Sequence, residues 1–342
     1  MRAVVVTGVD RVAVEQIAEP SPGTAALVAP EVLGLCGTDL KILSGAITVD
    51  HPRVLGHEMV GRVVRAGSDG HVAVGTRVLV DPAVSCGTCR LCRADRPHLC
   101  TTGALMGRDI DGLFADLVAV HDHQLHLVPE HLSAREVALL QVLGTCVHAQ
   151  TLVDVFPGQT AAVIGLGVSG LLHVQLLRAR GVERVVGVTR SAWKRELAER
   201  MGATVTAEPA AARAAVDELT GGDGVDLVVE AAGAGPTFRQ GVELAAIGGR
   251  LLVFGIISSP PEGLNWYELY YKELDVVNAR AARPRDYARA IALAASGALD
   301  LAPLWTGGAL LDRAVDAFAM ARSGDALKVT LHPDGSEEEI ST

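Results

Sequence analysis

The stretch TAAVIGLGVSGLLHVQLL, residues 160–177, decides the fold of this chain. A short apolar run leads into a turn of the form G-x-G-x-x-G, and a second apolar run with helical spacing follows. In such a unit the three glycines allow a tight turn, close approach of a pyrophosphate, and close packing of the helix. The N–H groups at the helix start attract phosphates. We therefore predict that Gly165, Gly167, Val168 and Gly170 bind a dinucleotide; the alternative is a plain glycine-rich connection.

Strand and helix patterns alternate from about residue 142. TAAVIG leads into VSGLLHVQLLRARG, ERVVGVTR into AWKRELAERMG, and ATVTAEP into AARAAVDELTGG. Short strands alternating with helices are typical of βαβ units and a parallel sheet. Residues 1–140 instead carry short valine-rich strands separated by Gly and Pro turns. We predict an α/β chain whose first half is mostly β.

Composition narrows the class of protein. At 342 residues the chain is long enough for two domains, and 49% hydrophobic with 20% charged residues is typical of a globular protein. A net charge of −10 offers no basic surface for nucleic acid. The first residues, MRAVVVTGVDRVAVEQ, lack a signal-peptide pattern, and the longest uncharged stretches are interrupted by polar residues and glycines. We predict a cytoplasmic protein with neither nucleic acid nor membrane as a partner, and a disordered tail, DGSEEEIST.

The tip of the second predicted strand, VVGVTR, carries Thr189 and Arg190. Dinucleotide sites usually place an acid about 20 residues beyond the glycines, where it binds the ribose hydroxyls and repels a 2′-phosphate. Thr189 removes that repulsion, Arg190 offers a fork to a phosphate, and Lys194 adds a further positive charge. These residues favour NADP(H) over NAD(H). The alternative is that both cations are ordinary solvated charges at a helix start.

Four of the six cysteines form C-x2-C-x2-C-x7-C within one segment: Cys86, Cys89, Cys92 and Cys100. Four thiolates in a short loop can close a tetrahedral zinc site without an open position, which predicts a structural zinc. A disulfide pairing is disfavoured in the cytoplasm. An iron–sulfur cluster is the remaining alternative.

Two further motifs, GLCGTDLK (34–41) and LGHE (55–58), are unspecific when taken alone. Together with the four-cysteine segment, IDGLFADL and GLGVSG in that order, they resemble the zinc-containing medium-chain dehydrogenase/reductase family, the group of alcohol, sorbitol and threonine dehydrogenases. The resemblance extends from about residue 1 to residue 332. It implies a GroES-like catalytic domain over 1–141 and 280–342, with a zinc lobe at about 84–102, and a Rossmann domain over 142–279.

The resemblance also implies roles for individual residues. Cys36 and His57 correspond to ligands of a catalytic zinc, and Glu58 to a carboxylate that ligates or exchanges with water. Asp39 corresponds to the residue that orients the ligand histidine. Thr38 corresponds to the hydroxyl that relays the alcohol proton, onward to Lys41 or a ribose hydroxyl. Thr145 lies where the family contacts the nicotinamide.

One position departs from the family. The third protein ligand of the zinc is usually Cys or Glu, and this chain has Gln141 there. A neutral amide is a poorer zinc ligand than a thiolate or a carboxylate. Three arrangements stay open: ligation by Gln141, ligation by Glu58 with water, and ligation by the nearby Cys146.

The resemblance implies hydride transfer between the nicotinamide and an alcohol or carbonyl substrate, in a homodimer or homotetramer. The segments 45–51 and 107–114 are candidate pocket walls whose polar residues suit a polyol, sugar or cyclitol, or else face solvent. Two rival functions are a zinc-independent quinone or enoyl reductase and a non-catalytic nucleotide-binding protein. Cys36 and His57 disfavour the reductase, since such relatives generally lack both residues.

Overall fold

The computed structural model describes residues 1–21, 23–68, 70–257 and 259–335, and it divides into two compact units. Unit 1 consists of Met1–Gly144, Arg283–Gly297 and the segment from Leu301 onward. Unit 2 consists of Thr145–Ala282 and Ala298–Asp300. The boundaries inferred from the sequence, 142 and 279, lie beside the limits of unit 2. No helix in the described ranges is both long and apolar enough to cross a membrane.

The first part of unit 1 consists of short strands with few helical turns. The strands are β1 (Arg2–Gly8), β2 (Arg11–Gln16), β3 (Ala26–Gly34), β4 (Arg53–Val54), β5 (Met59–Arg65), β6 (Arg77–Val80), β7 (Ala83–Val84), β8 (Ala104–Leu105), β9 (Val118–Val120) and β10 (Leu125–Leu127). The helices are α1 (Gly37–Leu43), α2 (Arg90–Arg93), α3 (Ala134–Val137) and α4 (Leu140–Gln150), the last of which continues into unit 2.

Unit 2 alternates strands with helices. The strands are β11 (Thr160–Ile164), β12 (Arg184–Val188), β13 (Val205–Ala207), β14 (Val225–Glu230), β15 (Ala245–Val253) and β16 (Asp275–Asn278). The helices are α5 (Val168–Ala179), α6 (Ala192–Arg200), α7 (Ala212–Thr220), α8 (Gly235–Leu244) and α9 (Trp266–Tyr271). The chain then returns to unit 1 with α10 (Pro284–Ala295), β17 (Trp305–Leu310), α11 (Ala314–Arg322) and β18 (Lys328–His332).

The sheet of unit 2 is parallel throughout, in the order β13-β12-β11-β14-β15-β16. Every residue of β11 is buried, because a parallel strand covered on both faces reads as a continuous apolar run. The order reverses direction between β11 and β14, and ligands of such sheets bind outside the carboxyl ends of the strands at that point. The predicted α/β class is confirmed, and the glycine-rich turn lies directly after β11.

The main sheet of unit 1 is β10-β6-β5-β3-β18-β17, with β9 also paired to β3. Its central strand β3 pairs antiparallel with β5 and β18, so the last strand of the chain lies beside one of the first. Valines and leucines of β3, β5, β6 and β18 pack with Phe114 and Phe318 into one core. This pairing brings Lys328, the first residue of β18, next to the segment before Cys36.

Candidate metal and cofactor sites

Cys36 is held by the start of α1. It occupies the N-cap position with an extended backbone, and its N–H donates to the Asp39 carboxylate at 2.9 Å. The second Asp39 oxygen accepts from the N–H of Gly56 at 3.3 Å. Asp39 is fully buried, so one carboxylate ties the Cys36 loop to the segment that carries His57.

Cys36, His57 and Glu58 converge: each offers a ligand atom, and these atoms lie within 4.8 Å of one another. The His57 Nδ1 lies 3.6 Å from an Asp39 oxygen, which is an electrostatic contact longer than a hydrogen bond. Burial disfavours the imidazolium, yet the charges of Asp39 and Cys36 outweigh it and hold the pKa of His57 well above its usual value. The surroundings of His57 therefore favour a positive charge, which a metal would supply.

Glu58 forms a buried ion pair that the sequence motifs do not predict. Its Oε2 lies 2.7 Å from the Lys328 Nζ, and the two side chains are 2% and 4% exposed. Lys328 also donates to the carbonyl oxygen of Leu35 at 3.1 Å. Burial lowers the pKa of Lys328, but the charges of Glu58, Cys36 and Asp39 raise it above its usual value. The sequence signal is a lysine among the valine and leucines of the predicted strand ALKVTLH.

These donors fit a zinc ion. A thiolate, an imidazole and a carboxylate are the ligands that zinc takes in proteins, and three protein ligands are typical of catalytic sites. The Glu58 Oε1 is buried without a hydrogen-bond partner in the described part of the chain, while Lys328 holds Oε2. A buried carboxylate oxygen left in this way needs a cation or a donor. Thr38 lies beside the group, with its Oγ1 3.9 Å from the Cys36 Sγ.

Gln141 lies at the start of α4 and is fixed by Tyr287 of α10. Its Nε2 donates to the Tyr287 hydroxyl at 3.3 Å, and both side chains are buried. A Cβ at Gly144 would lie 2.3 Å from the Tyr287 ring, so this glycine makes room for the tyrosine. Cys146 lies elsewhere, with its Sγ 3.8 Å from the carbonyl oxygen of Ser169 in unit 2.

The four cysteines of the α2 segment form a second group. The Sγ–Sγ distances in the ring Cys86–Cys92–Cys89–Cys100–Cys86 run from 3.5 to 4.0 Å. Zinc–sulfur bonds of about 2.3 Å place tetrahedral sulfurs about 3.8 Å apart, so the arrangement fits a closed zinc site. Hydrogen bonds from Thr88 lower the pKa of Cys86 to about 5, and the N–H of Cys92 lowers that of Cys89 to about 7. Burial raises the pKa of Cys92 to about 11, so the lobe favours the thiolate at Cys86 and Cys89 but not at Cys92.

The glycine-rich turn fits a pyrophosphate. Gly165 has a φ of +93°, which favours glycine. A Cβ at Gly170 would lie 1.8 Å from the carbonyl oxygen of Gly165, so the third glycine makes room for the turn itself rather than for the strand. Gly167 has open space where a Cβ would be, and it caps α5, whose first residue is Val168. The helix start therefore presents free N–H groups toward an open surface.

Thr189 and Arg190 follow β12 directly, at its carboxyl end. Thr189 is half-buried, and the Arg190 side chain is exposed. Arg190 forms no ion pair with the described residues, whereas Lys194 on α6 lies over the Trp193 ring at 5.1 Å. The guanidinium of Arg190 is therefore available to an anion.

Both predicted pocket walls belong to unit 1. The segment 107–114 packs on the residues before His57, since the N–H of Leu113 donates to the carbonyl oxygen of Gly56 at 3.0 Å. Arg108 is engaged by Asp109 through two hydrogen bonds of 2.9 and 2.7 Å. The other polar wall residues, Thr48, Asp50, His51 and Asp109, are exposed.

Replacing Lys328 by methionine is expected to lower the free energy of unfolding by about 3–5 kcal/mol, because it leaves the Glu58 carboxylate buried without its counter-charge. Urea unfolding of the two proteins in the same buffer measures the difference. The double variant with Glu58→Gln is the control and should recover most of the loss, since a neutral amide costs less to bury than a charge. A loss below about 1 kcal/mol would show that the ion pair is unimportant for stability.

Both halves of the chain match known protein families. A family model described as alcohol dehydrogenase GroES-like domain matches residues 22–130, and one described as zinc-binding dehydrogenase matches residues 169–296. The sorbitol dehydrogenase of Halalkalibacterium halodurans is 30% identical, covering 97% of this chain and 99% of that protein.

Two solved structures share the fold. One, from Sinorhizobium meliloti 1021, is described as a zinc-binding dehydrogenase bound to NADP; it is 35% identical with a TM-score of 0.88, covering 97% of this chain and 99% of the other. An alcohol dehydrogenase of Escherichia coli CFT073 complexed with NADH is 25% identical with a TM-score of 0.90, again covering 97% and 99%. The GroES-like and Rossmann architecture inferred from the motifs is confirmed, and the chain belongs to the zinc-containing medium-chain dehydrogenase/reductase family.

Proposed function

We propose that the protein is a zinc-dependent, NADP(H)-preferring alcohol dehydrogenase or ketone reductase that acts on a secondary alcohol such as a polyol, sugar or cyclitol. The observation that carries this proposal is the convergence of Cys36, His57 and Glu58 around an unsatisfied carboxylate oxygen. A zinc-independent quinone or enoyl reductase has no need of these three ligands. The sorbitol dehydrogenase relative supports a polyol-like substrate.

Each group of residues would have its own part in the reaction. Bound zinc supplies a Lewis acid that polarises the substrate oxygen and lowers the pKa of an alcohol. Cys36 and His57 would hold the ion, and Asp39 keeps the loop of Cys36 attached to that of His57. The Thr38 hydroxyl would accept the proton of the substrate and donate its own toward the ribose hydroxyl, from which a proton leaves to water. Lys328 limits the negative charge that Glu58 adds to the site.

The domain roles follow from the same assignment. Residues 1–141 and 280–342 would form the catalytic domain, and residues 142–279 the dinucleotide domain. Gly165, Gly167, Val168 and Gly170 would hold the pyrophosphate, and Thr145 would contact the nicotinamide end. The four-cysteine lobe would bind a structural zinc, which requires reduced thiols and therefore fits a cytoplasmic protein.

The cofactor preference rests on the end of β12. Thr189 carries no charge to repel a 2′-phosphate, and the exposed Arg190 can donate to it with two N–H groups. Lys194 adds a positive charge one turn into α6. The NADP bound to the Sinorhizobium meliloti protein supports this preference.

The function is tested by incubating purified protein with a panel of secondary alcohols, polyols and cyclitols and either NADP+ or NAD+, and by following absorbance of the reduced nicotinamide. Ketones with NADPH and NADH test the reverse direction, and quinones and enones test the rival function. We expect alcohol oxidation that depends on zinc and is faster with NADP+. Turnover of enones by zinc-free protein, without any turnover of alcohols, would contradict the proposal.

Replacing Gln141 by alanine is expected to remove part of the catalytic zinc if the amide is a ligand. The variant would hold the catalytic zinc with one ligand fewer, so the occupancy of that site should fall on dialysis. The zinc of the four-cysteine lobe should stay bound, because its thiolates are unchanged. Metal analysis per chain measures the loss, and Cys146→Ala is the matched control because its thiol lies against Ser169. Unchanged zinc content and activity in the Gln141 variant would exclude Gln141 as a ligand and favour ligation by Glu58 and water.

We also propose that the protein assembles as a homodimer or homotetramer through unit 2. The described sheet ends at β16, an edge strand with an exposed row of backbone groups that can pair with a second copy. Directly before it, α9 carries four aromatic side chains that are between 60% and 80% exposed: Trp266, Tyr267, Tyr270 and Tyr271. So large an aromatic surface in a chain with 4% aromatic residues favours burial against a partner.

Light scattering after size exclusion tests this assembly. Tyr270→Asp should shift the protein toward the monomer, because it would place a charge in the apolar contact. Phe156→Asp, at an exposed aromatic of unit 2 outside this surface, is the control and should leave the mass unchanged. A monomeric unsubstituted protein at micromolar concentration would refute the assembly.

A further inference from the structure

We infer that Arg195 is a positioning residue for cofactor choice, acting in two ways. It fixes the loop after β12 that carries Thr189 and Arg190, and it neutralises Glu208, an acid directly after the neighbouring strand. This inference deepens the proposed NADP(H) preference and rests on it.

Arg195 lies in the first turns of α6 and reaches back to the end of β12. Its Nη1 donates to the carbonyl oxygens of Thr189 and Arg190, each at 3.0 Å. The side chain is only 20% exposed. The two carbonyls belong to the peptide bonds on either side of the Arg190 Cα, so the guanidinium fixes the backbone from which the Arg190 side chain extends, directly after Thr189.

The second contact of Arg195 is an ion pair with Glu208. The Arg195 Nη2 lies 3.3 Å from the Glu208 Oε1, and the Glu208 side chain is 63% exposed. Glu208 follows β13, which pairs with β12 so that Val188 faces Ala207, and the N–H of Thr189 donates to the carbonyl oxygen of Ala207 at 3.1 Å. Glu208 is therefore the residue directly after Ala207, which pairs with Val188 at the end of β12.

An acid at this place matters for the cofactor. An Asp or Glu at the end of the second strand favours a free ribose hydroxyl and repels a 2′-phosphate. This chain lacks the acid at the end of β12 itself but carries one directly after the neighbouring strand β13. Arg195 is paired with that carboxylate and leaves Arg190 unpaired among the described residues. The loop can then present a net positive charge to a phosphate.

Two properties of arginine are used here, its charge and its planar set of donors. A lysine at 195 would keep the charge, yet its single ammonium group could not hold two carbonyls and a carboxylate in the same plane. A methionine would remove both. Comparing the two substitutions therefore separates the electrostatic contribution from the anchoring of the loop.

The test is equilibrium binding of NADP+ and of NAD+ to the holoenzyme without substrate, measured by titration calorimetry. Arg195→Met should weaken NADP+ binding by about tenfold and NAD+ binding by less than about threefold, because only NADP+ carries the 2′-phosphate. Glu208→Gln alone should change either affinity by less than about twofold, since Arg195 already neutralises the acid. Adding Glu208→Gln to Arg195→Met should restore at least about half of the lost NADP+ affinity, on a logarithmic scale.

Salt and a conservative variant sharpen the result. The loss of NADP+ affinity in Arg195→Met should shrink at high ionic strength, which screens the exposed carboxylate. Arg195→Lys should lose less NADP+ affinity than Arg195→Met, and it carries the test if the methionine variant does not fold. Arg213→Met, which breaks an exposed ion pair with Asp217 on α7, is the matched control and should change neither affinity.

Equal losses of NADP+ and NAD+ affinity in Arg195→Met, without recovery in the double variant, would overturn the inference and leave a purely structural role. The affinities of the unsubstituted protein test the proposed NADP(H) preference separately from the role of Arg195. If the unsubstituted protein binds NAD+ more tightly than NADP+, the preference fails, while the change in the affinity ratio still reports on the pairing of Arg195 with Glu208.

Discussion

Replacing Cys36 by serine is expected to lower kcat/KM for alcohol oxidation by about 10³-fold or more, because the Lewis acid contributes several kcal/mol to the transition state. A serine hydroxyl stays protonated near neutral pH and binds zinc poorly, so the remaining His57 and Glu58 would not retain the ion. Metal analysis should accordingly find about one zinc per chain in place of about two. Initial rates with the best alcohol of the screen measure the loss.

The matched control for this variant is Cys86→Ser. Cys86 belongs to the lobe, where four sulfurs close a site with no open position. Its loss should lower thermal stability and release the other zinc, while any folded protein keeps the Cys36 group intact. A Cys36→Ser protein that retained both ions and more than about a tenth of the activity would refute the catalytic assignment.

The second large effect is expected from Thr189→Asp combined with Arg190→Ala. The ratio of kcat/KM for NADP+ to that for NAD+ should fall by about 100-fold or more, since a charge-assisted contact is lost and a repulsive carboxylate is gained. Most of the change should come from weaker use of NADP+. Initial rates over a range of concentrations of each cofactor give the ratio.

Arg184→Ala is the control for the cofactor variant. Arg184 begins β12, at the end opposite to Thr189, and donates to the carbonyl oxygen of Leu219. Its removal should leave the ratio unchanged. If the double variant keeps the NADP+ to NAD+ ratio of kcat/KM within about threefold of the unsubstituted protein, the end of β12 does not determine the cofactor preference.

The motifs that the sequence reveals are those in which the chemistry is local. The four thiols lie within fifteen residues, from Cys86 to Cys100, and the glycines of the turn within six, so spacing alone predicts what they can bind. Cys36 and His57 are farther apart, and only the ordered set of family motifs indicated that they act together. The structure then brings their ligand atoms within 4.8 Å.

The residue types do not predict some of the local elements. The strand β17 (Trp305–Leu310) contains two glycines and reads as a loop, yet it pairs in parallel with β18. Glycine has a low preference for β-strands, but the backbone hydrogen bonds to β18 stabilise this strand nevertheless. The sequence pattern likewise does not predict the exposed aromatic helix α9 (Trp266–Tyr271), because its side chains lack the one-sided pattern of a helix packed on a core.

The sequence by itself determined the fold class, the four-cysteine lobe, the glycine-rich turn and the absence of an acid at the end of β12. Only the tertiary structure decided the pairings around them: Lys328 with Glu58 across 270 residues, Gln141 with Tyr287 across 146, and Arg195 with Glu208 directly after β13. The physical reason is that each of these side chains, taken alone, reads as an ordinary polar residue. A charge buried in a strand becomes meaningful only when the sheet places its counter-charge beside it.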